Sequence, residues 1–332
     1  MATPYTQARN LPLPPSSLIQ SRTYIVTGAN TGLGLAAAQN LALLGAARVI
    51  LAVRNLSAGE AAKAQIDAAV ADATTGVKTK VEVWYLDLSV FSSIKAFVKR
   101  ADAELERVDG LIENAAVGAG GGERAEGHRL TVAVNVVGTL LLGVLMLPVM
   151  ARKAKEKEGD TPRVVVVTSR AGFDAREEWE GFGGEPVKGM DGMDGIEAIK
   201  LYSLSKLTET FAVHHLAREV ITVEETGVIV NLVCPGLCIT DLARHAPPEF
   251  KEQLRQLQET AGRTADDGSR TLLHAVTAGA ESHGMLLHSC EDGEKDVPDW
   301  VKDDLAGQKK TWEAVARELE TVEPGCVGKM VA

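Results

Sequence analysis

The sequence predicts an α/β protein with a doubly wound, mostly parallel sheet and helices on both faces. Six short runs rich in β-branched residues recur along the chain, at 23–28, 48–54, 81–87, 108–114, 163–169 and 227–236. They are almost continuously apolar rather than alternating, which is typical of strands buried on both faces. Alanine- and leucine-rich stretches such as 31–45 and 57–73 lie between them and have the length of crossover helices.

Composition places the chain among globular proteins, with 332 residues, 45% hydrophobic and 24% charged. We predict one domain over 21–332, preceded by a proline-containing extended arm at 1–20. The net charge of -10 argues against a nucleic-acid or anionic-membrane partner. The four cysteines form no CxxC pair and the N-terminus has no apolar signal core, which favours a cytoplasmic location. The histidines do not cluster at ligand spacing, so no metal site is predicted.

Three segments need separate interpretation. The stretch 132–150 is apolar enough for either a membrane span or a buried helix, and the regular strand–helix alternation around it favours the helix and no membrane span. The acidic, glycine-rich segment 173–200 and the turn-rich segment 237–300 interrupt that alternation. We expect both to lie over the carboxyl edge of the sheet, where ligands bind in such folds, with 237–300 as a lid region.

The first loop, "TGANTGLG" at 27–34, follows the first predicted strand and opens the first predicted helix. Glycines at 28, 32 and 34 would let the backbone approach a pyrophosphate, and the amides at the helix N-terminus favour bound phosphate. A tight strand–helix turn without a ligand is the alternative. The strand before the loop and the helix after it favour nucleotide binding.

Four motifs occur in a fixed order: "TGANTGLG", then "NVVG" at 135–138, "TSRAG" at 168–172 and "YSLSK" at 202–206. Together they resemble the short-chain dehydrogenase/reductase family, from about residue 20 to the C-terminus. The resemblance implies a Rossmann-type fold and an oxidoreductase that uses a nicotinamide cofactor. The C-terminal segment resembles retinol-dehydrogenase-like members and fungal secondary-metabolism reductases, which implies an apolar carbonyl or alcohol substrate.

The same resemblance implies a catalytic set, which consists of Asn135, Ser169, Tyr202 and Lys206. Tyrosine has an ordinary pKa of about 10, so an ammonium group four residues further along a helix would lower that pKa and favour proton exchange. Ser169 would orient the substrate oxygen, and Asn135 would hold a water that relays protons to Lys206. In isolation, the better interpretation of Tyr202 and Lys206 is as ordinary residues of a helix; the order of the four motifs reverses that preference.

The cofactor set implied by the resemblance is Gly28, Asn30, Thr31, Gly32, Leu33, Gly34, Arg54, Asp87, Leu88, Asn114, Ala115, Pro235, Gly236 and Thr240, together with Tyr202 and Lys206. An NAD-preferring enzyme usually has an acidic residue after the second strand, whereas this chain has Val53 and Arg54. A guanidinium there could bind a 2′-phosphate, which predicts NADP(H); a solvated surface arginine is the alternative. Glu113 and Ala116 depart from the family's usual N-N-A-G.

These features predict NADPH-dependent reduction of a ketone or aldehyde on an apolar small molecule, or the reverse alcohol oxidation. The alternatives are a non-catalytic NADP(H)-binding sensor or scaffold, and an imine reductase or cyclisation-steering enzyme on the same scaffold. Ser169 and Tyr202 are 33 positions apart, further than in compact members of the family. The extra residues would wall the pocket or cover the Tyr202 helix, so monomer and homodimer both stay open. Candidate pocket residues, which could equally be ordinary packing, are Phe173, Phe182, Met190, Met193, Leu237 and Leu242.

Overall fold

The computed structural model describes residues 7–73, 76, 78–118, 122–156, 161–193 and 195–331. The strands of the protein form an eight-stranded sheet and a small two-stranded hairpin. In chain order the strands are β1 (Thr23–Thr27), β2 (Arg48–Val53), β3 (Lys80–Tyr85), β4 (Gly110–Glu113), the hairpin strands β5 (Arg124–Ala125) and β6 (His128–Arg129), β7 (Arg163–Val167), β8 (Ile229–Cys234), β9 (Leu286–His288) and β10 (Glu291–Asp292). All six predicted strands are present, with ends within two residues of the predicted ones.

The order of strands in the large sheet is β3-β2-β1-β4-β7-β8-β9-β10. Every neighbouring pair is parallel except β9 and β10. The order reverses direction between β1 and β4, as it does in doubly wound dinucleotide-binding folds, where the crevice at the reversal point binds the ligand. The predicted fold class is therefore confirmed.

Helices cover both faces of this sheet. In chain order they are α1 (Gly32–Leu43), α2 (Leu56–Asp72), α3 (Phe91–Glu104), α4 (Thr139–Glu156), α5 (Arg176–Gly181), α6 (Pro186–Gly192), α7 (Ala198–His215), α8 (Val223–Thr226), α9 (Pro248–Ala261), α10 (Ala265–Thr277), α11 (Asp299–Lys302) and α12 (Leu305–Val322). Side chains of β1 alternate between two buried clusters, with Ile25 in one and Tyr24 and Val26 in the other. This double coverage explains why the strands are almost continuously apolar.

The apolar stretch 132–150 is a helix that begins with a π-helical segment, Val132–Gly138, and continues as α4. The helix Val132–Glu156 is long and apolar enough to cross a membrane by length and composition. However, 89% of its most apolar window is buried inside the protein, against α3, α7 and the sheet. This burial is the one expected of a core helix.

The segment 173–200 packs sideways on α7 and α12, through α5 and α6. The Trp179 ring on α5 lies 4.6 Å from that of Phe211 on α7, measured between centroids. Met190 is fully buried in the same cluster, so its interpretation as a pocket residue is wrong. Phe182 packs edge-on to Trp179 but is only partly buried, so its place in the pocket stays a prediction. Together with α12, the segment covers the outer face of α7.

The sequence predicts that the segment 237–300 is a lid, but only part of the segment lies outside the framework of the sheet and its helices. Only its first part, through α9, lies outside the sheet's helical layers. By contrast, α10 packs under β4, β7 and β8, and β9 is a strand of the main sheet. The prediction of one lid over 237–300 is therefore too broad, because half of this segment belongs to the framework.

Candidate active site

The predicted site residues follow different strands but lie along one edge of the sheet. Gly28 follows β1, Arg54 follows β2, Asn114 follows β4, Ser169 follows β7 and Pro235 follows β8. Because these strands are parallel, their carboxyl ends meet at the same edge, which places the residues along one crevice. The fold thus assembles a site from residues more than 200 positions apart.

The glycine loop joins β1 to α1 and requires glycine for two different reasons. Gly28 and Gly32 have φ angles of 65° and 56°, in the left-handed region that favours glycine. A Cβ on Gly34 would lie 2.6 Å from both Asn114 Nδ2 and Gly28 O, so the start of α1 approaches the neighbouring backbone too closely for any side chain. Asn30, Thr31 and Leu33 complete the turn. The resulting cradle, at a helix N-terminus, fits a pyrophosphate.

Asn114 and Ala115 fasten the end of β4 to the end of β1. Asn114 Nδ2 donates to Thr27 O at 2.9 Å, and Ala115 N donates to Thr27 Oγ1 at 2.9 Å. Ala116 is not among the residues with positive φ, so the methyl group at this position is accommodated without backbone strain. On the far side of the crevice, Thr240 lies beside Gly32, with its Cγ2 3.3 Å from the position of a Cβ there.

Two further predicted cofactor residues follow β2 and β3. Arg54 is exposed and directly follows the buried Val53. The next residue, Asn55, caps α2, with its side chain accepting from Ala58 N at 3.0 Å. Asp87 Oδ1 accepts from Ser89 N at 2.9 Å and from Ser89 Oγ at 2.6 Å, which fixes the turn after β3. Leu88 is buried in the core next to this turn.

Tyr202 and Ser169 meet across the crevice and are both half-buried. The Ser169 side chain lies close enough to the phenol to lower the pKa of Tyr202. Ser169 also caps the 3-10 turn that follows β7, with its Oγ accepting from Ala171 N at 3.2 Å. A Cβ on Gly172 would lie 2.9 Å from Leu207 N, so this turn and α7 pack backbone to backbone. That contact holds the serine hydroxyl against the phenol.

Lys206 is buried one turn after Tyr202, and its ammonium is already bonded within the protein. Its Nζ donates to Val167 O at 2.8 Å and lies 2.9 and 3.1 Å from the two carboxylate oxygens of Glu209. The Nζ atom is 5.9 Å from the centroid of the Tyr202 ring. The sequence therefore places the ammonium on the correct side of α7, but it does not reveal Glu209 as its partner.

The pKa of Tyr202 is raised above its usual value, mainly by burial and then by the negative charge of Glu209, whereas the hydrogen bond from Ser169 lowers it. The expectation that Lys206 lowers the pKa of this phenol stays a prediction.

Asn135 lies in the π-helical segment, and its side chain hydrogen-bonds to the loop after β4 and to α7. Its Oδ1 accepts from Val117 N at 2.8 Å, and its Nδ2 donates to Val117 O at 3.1 Å and to Ser205 Oγ at 2.9 Å. Ser205 in turn donates to Tyr202 O at 2.7 Å. Both amide protons are used in these bonds, so the side chain fixes the loop after β4 to α7. A water held by Asn135 stays a prediction.

Comparison with known proteins agrees with this geometry. A family model described as short chain dehydrogenase matches residues 22–184. The chain is 31% identical over 322 residues to the short chain dehydrogenase/reductase dmxR8 of Cryptosporiopsis sp., with 96% of each chain covered. It is 35% identical over 286 residues to the short chain dehydrogenase atnD of Emericella nidulans, covering 85% of this chain and 88% of that one. The chain belongs to the short-chain dehydrogenase/reductase family.

Solved structures of the family share the fold. A short-chain type dehydrogenase/reductase from Mycobacterium marinum aligns with a TM-score of 0.60 at 19% identity, covering 84% of this chain and 97% of that one. A Shigella flexneri protein described as a short chain dehydrogenase, complexed with NADP, aligns with a TM-score of 0.59 at 21% identity, covering 82% and 99%. The family consists of oxidoreductases that use NAD(P)(H), so this short-chain dehydrogenase/reductase is an oxidoreductase.

The N-terminal arm reaches the loop after β8, a contact that no sequence motif signals. The Gln7 side-chain amide pairs with the backbone of Leu237: Nε2 donates to Leu237 O at 2.7 Å, and Leu237 N donates to Oε1 at 3.0 Å. Arg263, which is 1% exposed, donates to Ala8 O at 2.7 Å and to Pro235 O at 2.8 Å. Gly236 has a φ of 78°, and a Cβ there would lie 2.2 Å from Gln7 Oε1. The arm thus holds the predicted cofactor loop in place.

This clamp predicts that Gln7→Ala loosens the loop from Pro235 to Thr240. We expect the Leu237 amide to exchange its hydrogen about fivefold faster, because the variant loses the acceptor of that amide, and a typical hydrogen bond contributes about 1 kcal/mol. Hydrogen exchange followed by mass spectrometry measures this change. The control is Gln20→Ala, at an exposed position of the same arm. Equal exchange in the two variants would show that Gln7 does not hold the loop.

Proposed function

We propose that this protein is an NADP(H)-dependent oxidoreductase that reduces a ketone or aldehyde on an apolar small molecule, or oxidises the corresponding alcohol. The observation that supports this function is the approach of the Ser169 hydroxyl to the Tyr202 phenol at the carboxyl edge of the sheet, with Lys206 buried behind the phenol. A hydroxyl pair of this kind can bind one carbonyl oxygen and donate a proton to it.

Each residue of the site has a defined task in this proposal. NADP(H), when bound, supplies or accepts the hydride. Ser169 donates a hydrogen bond to the substrate oxygen and fixes its position beside Tyr202. Tyr202 donates its phenolic proton to that oxygen in reduction and accepts a proton in oxidation. Lys206 bonds to Val167 O and to both carboxylate oxygens of Glu209, so one N–H would turn from the longer Glu209 contact to reach the cofactor's ribose.

Three features support NADP(H) over NAD(H). No acidic residue stands at positions 53 and 54, at the end of β2. Arg54 is exposed there, so its guanidinium is available to bind a 2′-phosphate in a bidentate manner. The Shigella flexneri family member named above was solved with NADP.

An apolar substrate is supported by the candidate pocket residues that remain. Leu242, which is 38% exposed, reaches over Gly118 from the loop after β8, and a Cβ on Gly118 would lie 2.6 Å from Leu242 Cγ. Phe173, Met193 and Leu237 are only partly buried, so they keep apolar surface for a ligand. The fungal relatives support a secondary metabolite as substrate. Four free cysteines support the proposed cytoplasmic location.

Replacing the proton donor tests the reaction directly. We expect Tyr202→Phe to reduce kcat/KM by about 10²- to 10⁴-fold with a panel of apolar ketones, because general acid catalysis contributes a factor of that size. NADPH absorbance measures turnover, and NADPH fluorescence measures binding. Tyr85→Phe, at an exposed tyrosine on β3, is the matched control.

The outcome also separates the alternative functions. Unchanged turnover in Tyr202→Phe would contradict the role of the phenol. Tight NADPH binding without turnover of any ketone or aldehyde would favour a sensor or scaffold, and turnover of cyclic imines alone would favour an imine reductase.

Cofactor choice depends on Arg54 in this proposal. We expect Arg54→Asp to weaken NADPH binding about 10- to 100-fold, because it removes a charge-assisted hydrogen bond and adds a repulsive carboxylate, while NADH binding changes little. Fluorescence titration with both cofactors gives the two dissociation constants. Lys99→Asp, on the exposed side of α3, makes the same change in net charge. Equal weakening of NADPH and NADH would mean that Arg54 does not bind the 2′-phosphate.

We also infer that the protein is a monomer rather than a homodimer. The outer face of α7 is covered by α12 and by the segment 173–200, and α4 is covered in part by the chain's last turn, Gly328–Val331. Little apolar helix surface is therefore left on α4 or α7 for a second copy. Sedimentation equilibrium is expected to give a mass near 35.2 kDa. A concentration-independent mass of twice that value would contradict the inference.

A further inference from the structure

The side chain of Gln7 bonds to both ends of one surface lobe. We define this lobe as residues 237–262; it contains α9 and joins the end of β8 to the start of α10. At the first end, Gln7 Nε2 donates to Leu237 O at 2.7 Å, and Leu237 N donates to Gln7 Oε1 at 3.0 Å. At the second end, Gln7 Nε2 donates to Ala261 O at 2.8 Å. One residue of the N-terminal arm therefore ties the two ends of the lobe together.

The two ends of the lobe also bond to each other through backbone groups. Arg263 N donates to Leu237 O at 2.8 Å, and Ile239 N donates to Arg263 O at 2.8 Å. The buried guanidinium of Arg263 adds bonds to Ala8 O at 2.7 Å and to Pro235 O at 2.8 Å. The base of the lobe is thus a closed set of hydrogen bonds that includes the arm.

Beyond this base, the lobe crosses the carboxyl edge of the sheet. Leu242 lies on the loop after β4, because a Cβ on Gly118 would be 2.6 Å from Leu242 Cγ and 2.8 Å from Leu242 O. Thr240 lies on the glycine loop after β1, with its Cγ2 3.3 Å from the position of a Cβ on Gly32. In the order of the sheet, β7 and β4 lie between β8 and β1. The lobe therefore covers the crevice from one side to the other.

The helix of the lobe does little to fix the lobe's position. In α9, which is described over its full length, only Ala261 is buried. Leu257 is 43% exposed, and Phe250 and Leu254 are only partly buried. Segments with few buried apolar contacts open at the lowest free-energy cost. The position of the lobe therefore depends on the hydrogen bonds at its base.

We infer that Gln7 is a positioning residue for the cofactor: by tying both ends of the lobe, it holds Thr240 against the glycine loop and keeps the lobe closed across the crevice. This inference rests on the proposed function, in which Thr240 and the loop that starts at Pro235 bind NADP(H). A cofactor in the crevice leaves only when the lobe opens. The bonds of Gln7 oppose that opening, so they slow both release and entry of the cofactor.

The rate of cofactor release from the full chain tests this inference. Stopped-flow fluorescence follows bound NADPH as excess NADP⁺ displaces it. We expect Gln7→Ala to release NADPH about 5- to 30-fold faster, because a typical hydrogen bond contributes about 1 kcal/mol, or about fivefold, and opening breaks one or two of the bonds of Gln7. Gln7→Leu keeps a side chain of similar size without the amide, and we expect the same acceleration.

Gln20→Ala, at an exposed position of the same arm, is the matched control and is expected to release NADPH at the wild-type rate. We also expect NADPH to associate faster with Gln7→Ala, because a lobe that opens more often admits the cofactor more often. A merely structural defect would lower the melting temperature or the affinity without raising the association rate. Wild-type release from Gln7→Ala, or from Gln7→Leu alone, would overturn the inference.

Hydrogen exchange at the base of the lobe separates this inference from the proposed function. The amides of Ile239 and Arg263, which bond across the base, are expected to exchange faster in Gln7→Ala than in Gln20→Ala, with no cofactor present. If they do so but the wild type binds no NADPH, the proposed function fails and the tie between the two ends stands. Equal exchange in the two variants would overturn the tie itself.

Discussion

The site depends on a reciprocal bond between one lysine and one strand end. Lys206 Nζ donates to Val167 O at 2.8 Å, and Thr168 Oγ1 donates to Lys206 O at 2.9 Å. One bond uses the side chain of Lys206 and the other its backbone, so α7 can neither rotate nor slide against β7 without losing at least one of them. Tyr202 lies one turn earlier on α7, and its orientation toward Ser169 follows from this attachment.

The shape of the rest of the crevice is determined by backbone segments that pack closely at two glycines. The turn after β7 touches α7 at Gly172, and the start of α1 touches the ends of β1 and β4 at Gly34. Interiors are packed as densely as organic crystals, so a methyl group at either position would force a shift of neighbouring backbone. The distance between the phosphate cradle and the hydroxyl pair is thus set by contacts that involve almost no side-chain freedom. Rigid elements of this kind position a reacting group better than loops do.

The sequence predicts the framework well because its strands carry a local signal. Buried parallel strands are short, apolar and β-branched, and the ordered motifs identify which strand ends carry chemistry. It predicts partners poorly, since Gln7 bonds to Leu237, 230 positions away, and no local pattern marks such a pair. The lid over 237–300 is misjudged because β9 has only three residues, too few to show a periodicity. The pair of Lys206 and Glu209 is partly predictable from the sequence, because a spacing of three residues puts both side chains on one helix face. The sequence does not show that both side chains are buried, and it is their burial that favours an ion pair.

Stability alone does not explain the buried charges behind Tyr202. Desolvation of an ion pair can cost more than the attraction between its charges returns, and apolar residues of similar volume are often neutral or stabilising in its place. Breaking one partner, by contrast, leaves an uncompensated charge and costs about 3–5 kcal/mol. In the proposed function an ammonium stands at the end of β7 to bind the cofactor's ribose, and the Glu209 carboxylate 2.9 Å from Lys206 Nζ compensates its buried charge.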